Sequence, residues 1–331
     1  MLEVLFLNSA DIEKVIDMKK VVDYVEIAFR EKGLKKVQMP PKSYLYFTKY
    51  NGDLRTMPAY IESLDIASVK IVNSHPLNPS KYNLPTVMAT IVLIEPSTGK
   101  PLSIMDGTII TRYRTGAAAA VATKYLYGFG KSARVGIVGA GAMAPYTIEA
   151  LLHVISITEL KVHDIIFDKA KKLVEIVKEK FNVSAKAVAS VYEAAQDADI
   201  IITITPSRSP IVLASYIKEG VHINAMGADA PGKQELDPEI LKKAKIVVDD
   251  YEQAIHSGEV NVPISQGIIK PSDIYAELGE IVAGLKKGRE GDREITIFTS
   301  TGLAIQDTVT AWYVYQEAEK RGIGKKLCIL T

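Results

Sequence analysis

Hydrophobic and polar positions follow two different patterns along the chain, and the change falls close to residue 116. Before that point, short apolar runs are separated by Asn-Gly, Pro-rich and Ser-Thr-Gly turns, which is typical of strands joined by short connections. These runs predict a mostly antiparallel sheet. They cover residues 43–47, 54–60, 67–73, 87–94 and 101–106.

A helix is predicted ahead of this sheet. Apolar side chains recur there with helical spacing up to Gly33, and Asp11 stands where an N-cap is expected. The first part of the chain therefore combines a helix with a sheet, which is an α+β arrangement. The apolar stripe of the helix consists of Val21, Tyr24, Val25, Ala28 and Phe29.

After residue 116 the pattern becomes an alternation of strands and helices. An Ala-rich helix over residues 117–126 comes first, and the alternation that follows predicts an α/β fold with a doubly wound parallel sheet. A final helix over residues 303–318 is expected to return to the first domain, so the parallel-sheet domain is inserted in it. The predicted domains are residues 1–116 with 304–331, and residues 117–303. The predicted strands are 134–138, 160–163, 184–188, 200–205, 222–226, 246–248 and 294–298.

The run from Val135 to Ala144 predicts a dinucleotide site of the Rossmann type. It reads Val-Gly-Ile-Val-Gly-Ala-Gly-Ala-Met-Ala, an apolar strand that ends in a glycine-rich turn. In such units the first turn glycine, here Gly139, makes the tight turn, and the second, Gly141, lets backbone N–H groups approach a pyrophosphate. Apolar residues with helical spacing follow, so the N-terminus of a helix faces the phosphates.

Asp164 favours NAD over NADP. It ends the second predicted strand, 20 residues beyond Ala144, where a carboxylate usually holds the ribose 2′-OH of NAD. Two alternatives stay open: Asp164 can instead cap the helix predicted over residues 169–177, and Lys161 or Lys169 can accommodate a 2′-phosphate.

Composition narrows the class of partner. Forty basic and 39 acidic residues give the 331-residue chain a net charge of +1 without a Lys/Arg block, so nucleic acid is not indicated. No apolar run reaches the length of a membrane span, and residues 1–7 are too short for a signal-peptide core. The single cysteine, Cys328, cannot form an intramolecular disulfide, which favours the cytoplasm. Five scattered histidines lack metal-ligand spacing, so no metal is expected.

Three cationic side chains of the first domain are candidates for binding a carboxylate. Lys70 lies inside an apolar run, where a charge is costly unless it is paired. Arg114 lies just before the Ala-rich helix and can bind a carboxylate or a phosphate bidentately. Arg55 can do the same or be an ordinary surface cation. A cationic clamp suits an amino-acid substrate, whose oxidation also needs a base and a nicotinamide held against the reacting carbon.

Two loops of the second domain are candidates for the same site. Residues 224–233 follow a predicted strand and carry Asp229 and Lys233 at the carboxyl edge of the parallel sheet, where ligands bind. Asp229 can also simply form a turn before Pro231. Thr205, at the end of another predicted strand, begins a loop expected to border the cofactor.

Together these segments resemble the ornithine cyclodeaminase and mu-crystallin family over nearly the whole chain. Within it the chain is most similar to the archaeal alanine dehydrogenases, through residues 227–229, 231–236 and 301–304. Cyclodeaminases tend to have Gly-Gly-Asp-Cys-Pro-Gly-Lys-Thr-Glu-Leu over residues 227–236, from which Ala228, Ala230 and Gln234 depart. The resemblance rests on residues 38–42, 70, 72–76, 84–86, 114–118, the glycine turn, 223–237 and 300–307.

The resemblance implies roles for the candidate residues. Arg55, Lys70 and Arg114 hold the substrate carboxylate, Lys70 also donates or accepts a proton, and Asp229 matches the base that acts on the substrate amine in cyclodeaminases. NAD is implied as cofactor, with backbone contacts only at Ala142 and Met143, and a homodimer joined through the sheet of the first domain. Gly139, Gly141 and Thr205 are assigned to the cofactor site by the sequence pattern described above, independently of the resemblance. The other implied cofactor contacts are Thr86, Arg114, Thr115, Asp164, Gly227, Ala228, Asp229, Lys233 and Ser300.

The predicted function is the reversible, NAD-dependent oxidative deamination of L-alanine to pyruvate and ammonia. In a first alternative, ornithine cyclodeaminase, a side-chain amine instead of water attacks the imine and the product is proline. A ketimine or pyrroline-carboxylate reductase, running in reverse, is a second. A non-catalytic ligand-binding role like that of mu-crystallin is a third, against which the presence of Lys70 and Asp229 argues.

Overall fold

The chain divides into two compact units. The computed structural model describes residues 2–128 and 130–330. The first unit runs to Arg114 and resumes at Leu303, and the second unit is Thr115–Gly302. The boundaries predicted from the sequence, 116/117 and 303/304, lie within two residues of these divisions. The division after Arg114 falls inside a helix that spans residues 107–123.

The first unit contains a mixed sheet. Its strand order is β18-β1-β7-β6-β5-β4-β2, with β3 paired to the end of β4, and only β1 and β7 pair in parallel. The sheet is therefore mostly antiparallel, as the turn pattern predicts. The strands are β1 Leu2–Leu7, β2 Val37–Gln38, β3 Ser43–Phe47, β4 Gly52–Ile61, β5 Ile66–Ser74, β6 Val87–Ile94, β7 Pro101–Asp106 and β18 Lys325–Leu330. The helices are α1 Ser9–Glu13, α2 Met18–Gly33, α3 Asn78–Tyr82, α4 Gly107–Thr123, which continues into the second unit, and α12 Ala304–Arg321.

Capping side chains explain where the helices of this unit begin. The prediction of Asp11 as N-cap is wrong: the Asn8 side chain accepts from the Asp11 backbone N–H at 3.0 Å and caps α1. Asp17 caps α2 by accepting from the Lys20 N–H at 2.9 Å. Helix α4 begins ten residues before the Ala-rich run, because the Asp106 carboxylate accepts from the Thr108 N–H at 2.8 Å. Arg114 consequently lies within a helix, not ahead of one.

Helix α12 packs on one face of the first sheet. The hydroxyls of Ser68 on β5 and Thr308 on α12 share a hydrogen bond of 2.7 Å, and both side chains are buried. Lys70 is two residues from Ser68 on the same strand and therefore faces α12 as well. Apolar side chains on this face, among them Met57, Ile91 and Met105, form the core beneath the helix.

The second unit is built on a parallel sheet in the order β10-β9-β8-β11-β13-β17-β15-β16. This confirms the predicted α/β class, a doubly wound parallel sheet inserted in an α+β unit. The strands are β8 Ser132–Val138, β9 Ser156–His163, β10 Ala185–Ala187, β11 Ile200–Thr203, β13 His222–Ala225, β15 Lys245–Val248, β16 Ile274–Glu277 and β17 Thr296–Thr299, and a separate parallel pair is formed by β12 Arg208–Val212 and β14 Gln234–Leu236. The helices are α5 Ala144–Leu151, α6 Phe167–Phe181, α7 Val191–Ala195, α8 Pro238–Leu241, α9 Tyr251–Ser257, α10 Asn261–Ser265 and α11 Leu278–Val282.

The strand order of this sheet reverses between β8 and β11. The chain moves from β8 outward to β9 and β10, then crosses back to β11 on the other side of β8. In open parallel sheets, ligands bind at the carboxyl ends of the strands where the order reverses. The glycine turn follows β8 and Thr205 follows β11, so both lie at this point. Within residues 2–128 and 130–330, none of the helices combines the length and apolar character that crossing a membrane requires.

Candidate active site

Lys70 lies at the centre of a buried charged cluster in the first unit. Its side chain is 1% exposed, and its Nζ is 2.6 Å from the Asp307 Oδ2 on α12. Its Nζ also lies 3.5 Å from the Thr111 Oγ1 on α4. The sequence requires a partner for a lysine in this apolar run, and Asp307 is that partner.

The surroundings make the Lys70 ammonium easy to deprotonate. Burial lowers the pKa of Lys70 to about 7, and the positive charges of Arg114 and Lys42 act in the same direction. Asp307 opposes them by attracting the ammonium. With a pKa near neutrality, Lys70 can both donate and accept a proton at physiological pH, which is the property a general acid or base needs.

Arg114 shares Asp307 with Lys70. The Arg114 Nε donates to the Asp307 Oδ1 at 3.0 Å, and its Nη1 donates to the Gln306 Oε1 at 3.1 Å. Arg114 is 7% exposed. One carboxylate thus holds two cations, and the positive charge left over favours binding of an anionic group such as a substrate carboxylate.

Arg55 lies on the same face of the sheet as Lys70 but has its own partner. Arg55 pairs with Val72 in the β4–β5 register and Met57 pairs with Lys70, so the two cationic side chains share a face, with one residue pair between them. The Arg55 Nε and Nη2 bind the two oxygens of Asp53 at 3.0 and 2.9 Å. The structure therefore groups Lys70 with Arg114 around Asp307, with Arg55 beside them.

The sequence reasoning gave no role to Asp307, Gln306 or Thr111. Asp307 lies in the run Ala-Ile-Gln-Asp-Thr-Val, where a buried carboxylate is as costly as a buried lysine. The rule that singles out Lys70, a charge inside an apolar run, does not mark Asp307, because its neighbours Gln306 and Thr308 are polar. What the sequence does not contain is the crossing of α12 over β5 that joins them.

The glycine turn of the second unit fits a bound dinucleotide. Gly139 has φ +107°, and a Cβ there would lie 2.7 Å from the Ile204 carbonyl oxygen, so the turn requires glycine. At Gly141, by contrast, a Cβ would meet no atom within 4 Å, so space is open beside its backbone. Ala142 is exposed, and Met143 is the N-cap residue of α5. Backbone N–H groups beside open space at a helix N-terminus suit a pyrophosphate.

Asp164 lies directly beside this turn. Its Oδ2 accepts from the Ala140 backbone N–H, and its Oδ1 accepts from the Ile166 N–H, both at 2.8 Å. The alternative in which Asp164 caps the following helix is not what the structure shows, because α6 begins at Phe167 with Ile166 as N-cap and without a side-chain cap. The carboxylate is fixed at the end of β9, the position where dinucleotide-binding folds hold the adenosine ribose.

The loop after β13 carries Gly227, Ala228, Asp229 and Lys233. Asp229, the candidate base, has a side chain that is 42% exposed and forms an ion pair with the Lys233 Nζ. Ala228 is buried. The Gly227 N–H and the Thr205 hydroxyl both donate to Glu235, a wholly buried carboxylate.

The remaining candidates occupy different places. Ser300 is buried in the loop after β17, where its hydroxyl donates to Asp249 at 3.3 Å. Thr115 lies within α4 at the start of the second unit. Thr86 directly precedes β6 in the first unit, and its carbonyl oxygen accepts from the His75 N–H at 2.8 Å. No contact assigns a ligand to these side chains, and their cofactor roles stay predictions.

Comparison with known proteins extends over nearly the whole chain. A sequence model of the ornithine cyclodeaminase/mu-crystallin family matches residues 2–322. The alanine dehydrogenase of Archaeoglobus fulgidus is 50% identical over 326 residues, covering 98% of this chain and 98% of that protein. A solved archaeal alanine dehydrogenase dimer with bound NAD is 49% identical, with a TM-score of 0.94 over 99% of this chain and 100% of that one. The Thermococcus litoralis Delta(1)-pyrroline-2-carboxylate reductase, in complex with NADH and L-proline, is 42% identical with a TM-score of 0.92, covering 97% and 99%.

Proposed function

The chain belongs to the ornithine cyclodeaminase/mu-crystallin family, and we propose that it catalyses the reversible, NAD-dependent oxidative deamination of L-alanine to pyruvate and ammonia. The relatives named above are alanine dehydrogenases and a pyrroline-carboxylate reductase, and the two solved structures among them contain NAD or NADH. The chain is accordingly an NAD-dependent oxidoreductase. The choice of L-alanine rests on the 50% identity to the alanine dehydrogenase of Archaeoglobus fulgidus.

The observation that carries the proposal is the buried cluster around Lys70. Lys70 and Arg114 share the single carboxylate of Asp307, and Lys42 adds further positive charge. A substrate carboxylate balances this excess and brings its α-carbon and amino group close to the Lys70 ammonium.

The residues of the chain then move protons. Arg55, Lys70 and Arg114 hold the carboxylate, and Asp229 accepts a proton from the substrate ammonium so that the amine carries a lone pair. NAD, when bound by the second unit, would supply the acceptor for the hydride of the α-carbon. Lys70, with its pKa of about 7, supplies and removes protons as water adds to the imine and ammonia leaves.

The cofactor-binding residues of the proposal lie mainly in the second unit. The glycine turn with Ala142 and Met143 holds the pyrophosphate through backbone N–H groups, and Asp164 accepts from the ribose hydroxyl. The further contacts proposed are Thr86, Arg114, Thr115, Thr205, Gly227, Ala228, Asp229, Lys233 and Ser300. We accordingly assign substrate binding and dimerisation to the first unit and NAD binding to the second.

A second candidate function is the reduction of a cyclic imine. It is favoured by the 42% identity to the Delta(1)-pyrroline-2-carboxylate reductase of Thermococcus litoralis, whose structure is a complex with NADH and L-proline. The carboxylate clamp and the proton-transferring Lys70 serve this reaction equally well. Ornithine cyclodeamination and a non-catalytic binding role are further outcomes to be tested.

The deciding experiment measures NADH formation at 340 nm with L-alanine, L-ornithine and L-proline, together with identification of the products. Net NADH and pyruvate from alanine would support the proposal. Proline from ornithine without net NADH would establish a cyclodeaminase instead, and turnover confined to proline would establish an imine reductase. Binding of NADH without turnover of any of the three would support the non-catalytic role.

The assembly and compartment are part of the proposal. We propose a homodimer, because one solved relative is an alanine dehydrogenase dimer. The single cysteine of the sequence favours the cytoplasm as its compartment.

A further inference from the structure

Glu235 is a buried carboxylate to which the proposed mechanism gives no task. It lies on β14, which pairs with β12 and is not part of the large sheet, and it is wholly buried. Its Oε1 accepts from both the backbone N–H and the hydroxyl of Thr205, each at 2.7 Å. Its Oε2 accepts from the Thr203 hydroxyl and the Gly227 N–H, each at 2.9 Å. The Glu235 carboxylate thus accepts four hydrogen bonds.

These donors belong to two different strand ends. Thr203 ends β11 and Thr205 follows it, whereas Gly227 follows β13, the next strand in the sheet. Glu235 is therefore hydrogen-bonded to two neighbouring loops at the carboxyl edge of the parallel sheet. The fit is close, because a Cβ on Gly227 would lie 2.2 Å from the Thr205 carbonyl oxygen and 2.5 Å from the Glu235 Oε2.

A second buried carboxylate holds Glu235 in place. The backbone N–H groups of Glu235 and Leu236 donate to the Glu259 Oε1 at 2.9 and 2.6 Å. Burial raises the pKa of Glu235, and the hydrogen bonds from Thr205, Thr203 and Gly227 counteract that rise. A carboxylate is costly to bury, and the four hydrogen bonds that it accepts from the two loops offset that cost.

The two loops lie where the nicotinamide half of the cofactor is expected. Asp164, which follows β9 on one side of the glycine turn, is the residue proposed to bind the adenosine ribose. Dinucleotides lie across the point where the strand order reverses, so the other half extends over the ends of β11 and β13. The loop that begins at Gly227 also carries Asp229, the proposed base.

We propose that Glu235 is a positioning residue that fixes the loops after β11 and β13 and thereby sets the place of the nicotinamide end of the cofactor. The inference rests on the proposed NAD-dependent function. Glu235 touches neither substrate nor cofactor in this role. It acts through the Thr205 and Gly227 segments, which border the ring.

The test compares two ligands on the Glu235→Gln variant. Glutamine keeps the size of the side chain but has a single acceptor oxygen, so about half of the four hydrogen bonds are lost. ADP-ribose contains the adenosine and pyrophosphate groups of NADH without the nicotinamide. We expect the Kd of NADH to rise about tenfold or more, while the Kd of ADP-ribose changes less than about twofold. Isothermal titration calorimetry measures both.

Two further variants make the result decisive. Asp199→Asn is the matched control, because Asp199 directly precedes β11 and binds the Arg134 N–H at 2.8 Å, at the opposite end of the same strand. It should leave both Kd values unchanged. Thr203→Val removes one hydroxyl donor to Glu235 with little change in volume, and it compares the same two ligands if Glu235→Gln does not fold. We expect a several-fold rise in the Kd of NADH alone.

The outcomes that overturn the inference are distinct from failure of the proposed function. An equal loss of affinity for NADH and ADP-ribose would show that Glu235 merely supports the unit, and unchanged affinity for both would show that it has no positioning role. Either result leaves wild-type turnover of alanine intact. A wild-type protein that does not bind NADH would overturn the proposed function and this inference together.

Discussion

Two oppositely charged side chains in the interior of the first unit each account for the burial of the other. Lys70 and Asp307 are each 1% exposed, and either one alone would leave an uncompensated charge, which costs about 3–5 kcal/mol. A pair buried only for stability is readily replaced by apolar residues of similar volume. The pair lies beside Arg114, and a lysine with a pKa of about 7 is suited to proton transfer.

The pH dependence of turnover tests this explanation. If neutral Lys70 accepts a proton during alanine oxidation, kcat/KM rises with pH through about 7, the pKa of Lys70. Asp307 favours the charged form, so Asp307→Asn removes an opposing charge and lowers the pKa of Lys70 further. We expect the rising limb of the pH profile to move to lower pH by about one unit or more.

A control on the same helix isolates the effect. Glu317 on α12 pairs with the partly exposed Arg321 at 2.8 Å, and Glu317→Gln should leave the pH profile where it is. A limb that stays in place in Asp307→Asn would mean that another group titrates. Initial rates between pH 5 and 10, with stability followed by circular dichroism, provide the measurement.

Asp164 supports a prediction about cofactor choice. Its carboxylate is fixed by the Ala140 and Ile166 N–H groups at the end of β9, where it repels a 2′-phosphate. Asp164→Ala should therefore reduce the preference for NAD over NADP in kcat/KM by about tenfold or more, since one charged contact is lost for NAD and a repulsion for NADP. Asp168→Ala, at an exposed side chain four residues on, is the control. Unchanged discrimination in Asp164→Ala would contradict the ribose assignment.

Individual residues differ in how far the sequence reveals them. Lys70 and Asp164 stand out because one is a charge in an apolar run and the other follows a strand at a known interval from the glycine turn. Asp307 and Glu235 do not stand out, since their partners lie far along the chain. Only the packing of α12 on the first sheet and of β14 against two loops brings those partners together.

At the level of elements, the strand-turn-helix unit at β8 and α5 assigns different tasks to its two turn glycines. Gly139 has a positive φ and sits against the Ile204 carbonyl, so its task is conformational. Gly141 has open space around its Cα, which suits the role proposed for it in the approach of the pyrophosphate. Gly139→Ala should destabilise the second unit by about 1–3 kcal/mol, whereas Gly141→Ala should leave stability unchanged and raise the Kd of NADH about tenfold.

Thermal unfolding and NADH titration of the two variants separate these tasks. Gly291→Ala is the control, because its Cβ would also meet no atom within 4 Å, and we expect neither measurement to change. Full NADH affinity in Gly141→Ala would show that the pyrophosphate does not approach this backbone.

Elements with a clear internal pattern were predicted, and those held by tertiary pairing were not. Strands β3, β6 and β7 have the predicted bounds, because short apolar runs between turns specify them locally. Strands β14 and β16 have too few residues to show a pattern, and β12, Arg-Ser-Pro-Ile-Val, begins with polar residues, so these strands depend on pairing with a partner strand. The start of α4 was missed because the Asp106 cap outweighs the polar composition of its first turns.

At the scale of the whole molecule, the first sheet has a second face that α12 does not cover. A row in register across four strands consists of Pro58, Val69, Val92 and Ile104, each only partly buried, and neighbouring Ile71 is 37% exposed. A half-exposed apolar surface at the middle of a sheet is a typical site of association. The prediction is that the proposed homodimer forms through this surface.

Placing a charge on this face tests the dimer. Ile71→Glu adds a carboxylate that must be buried without a partner if a second copy covers the sheet, which costs several kcal/mol per subunit and therefore twice in a symmetric pair. We expect light scattering coupled to size-exclusion chromatography to give a dimer mass for the wild type and a monomer mass for the variant.

The control is Leu285→Glu, at a side chain that is 61% exposed in the second unit, and it should keep the dimer mass. Because NADH is assigned to the second unit, the Ile71→Glu monomer should still bind it. A dimer that survives the substitution would mean that the subunits meet through a different surface.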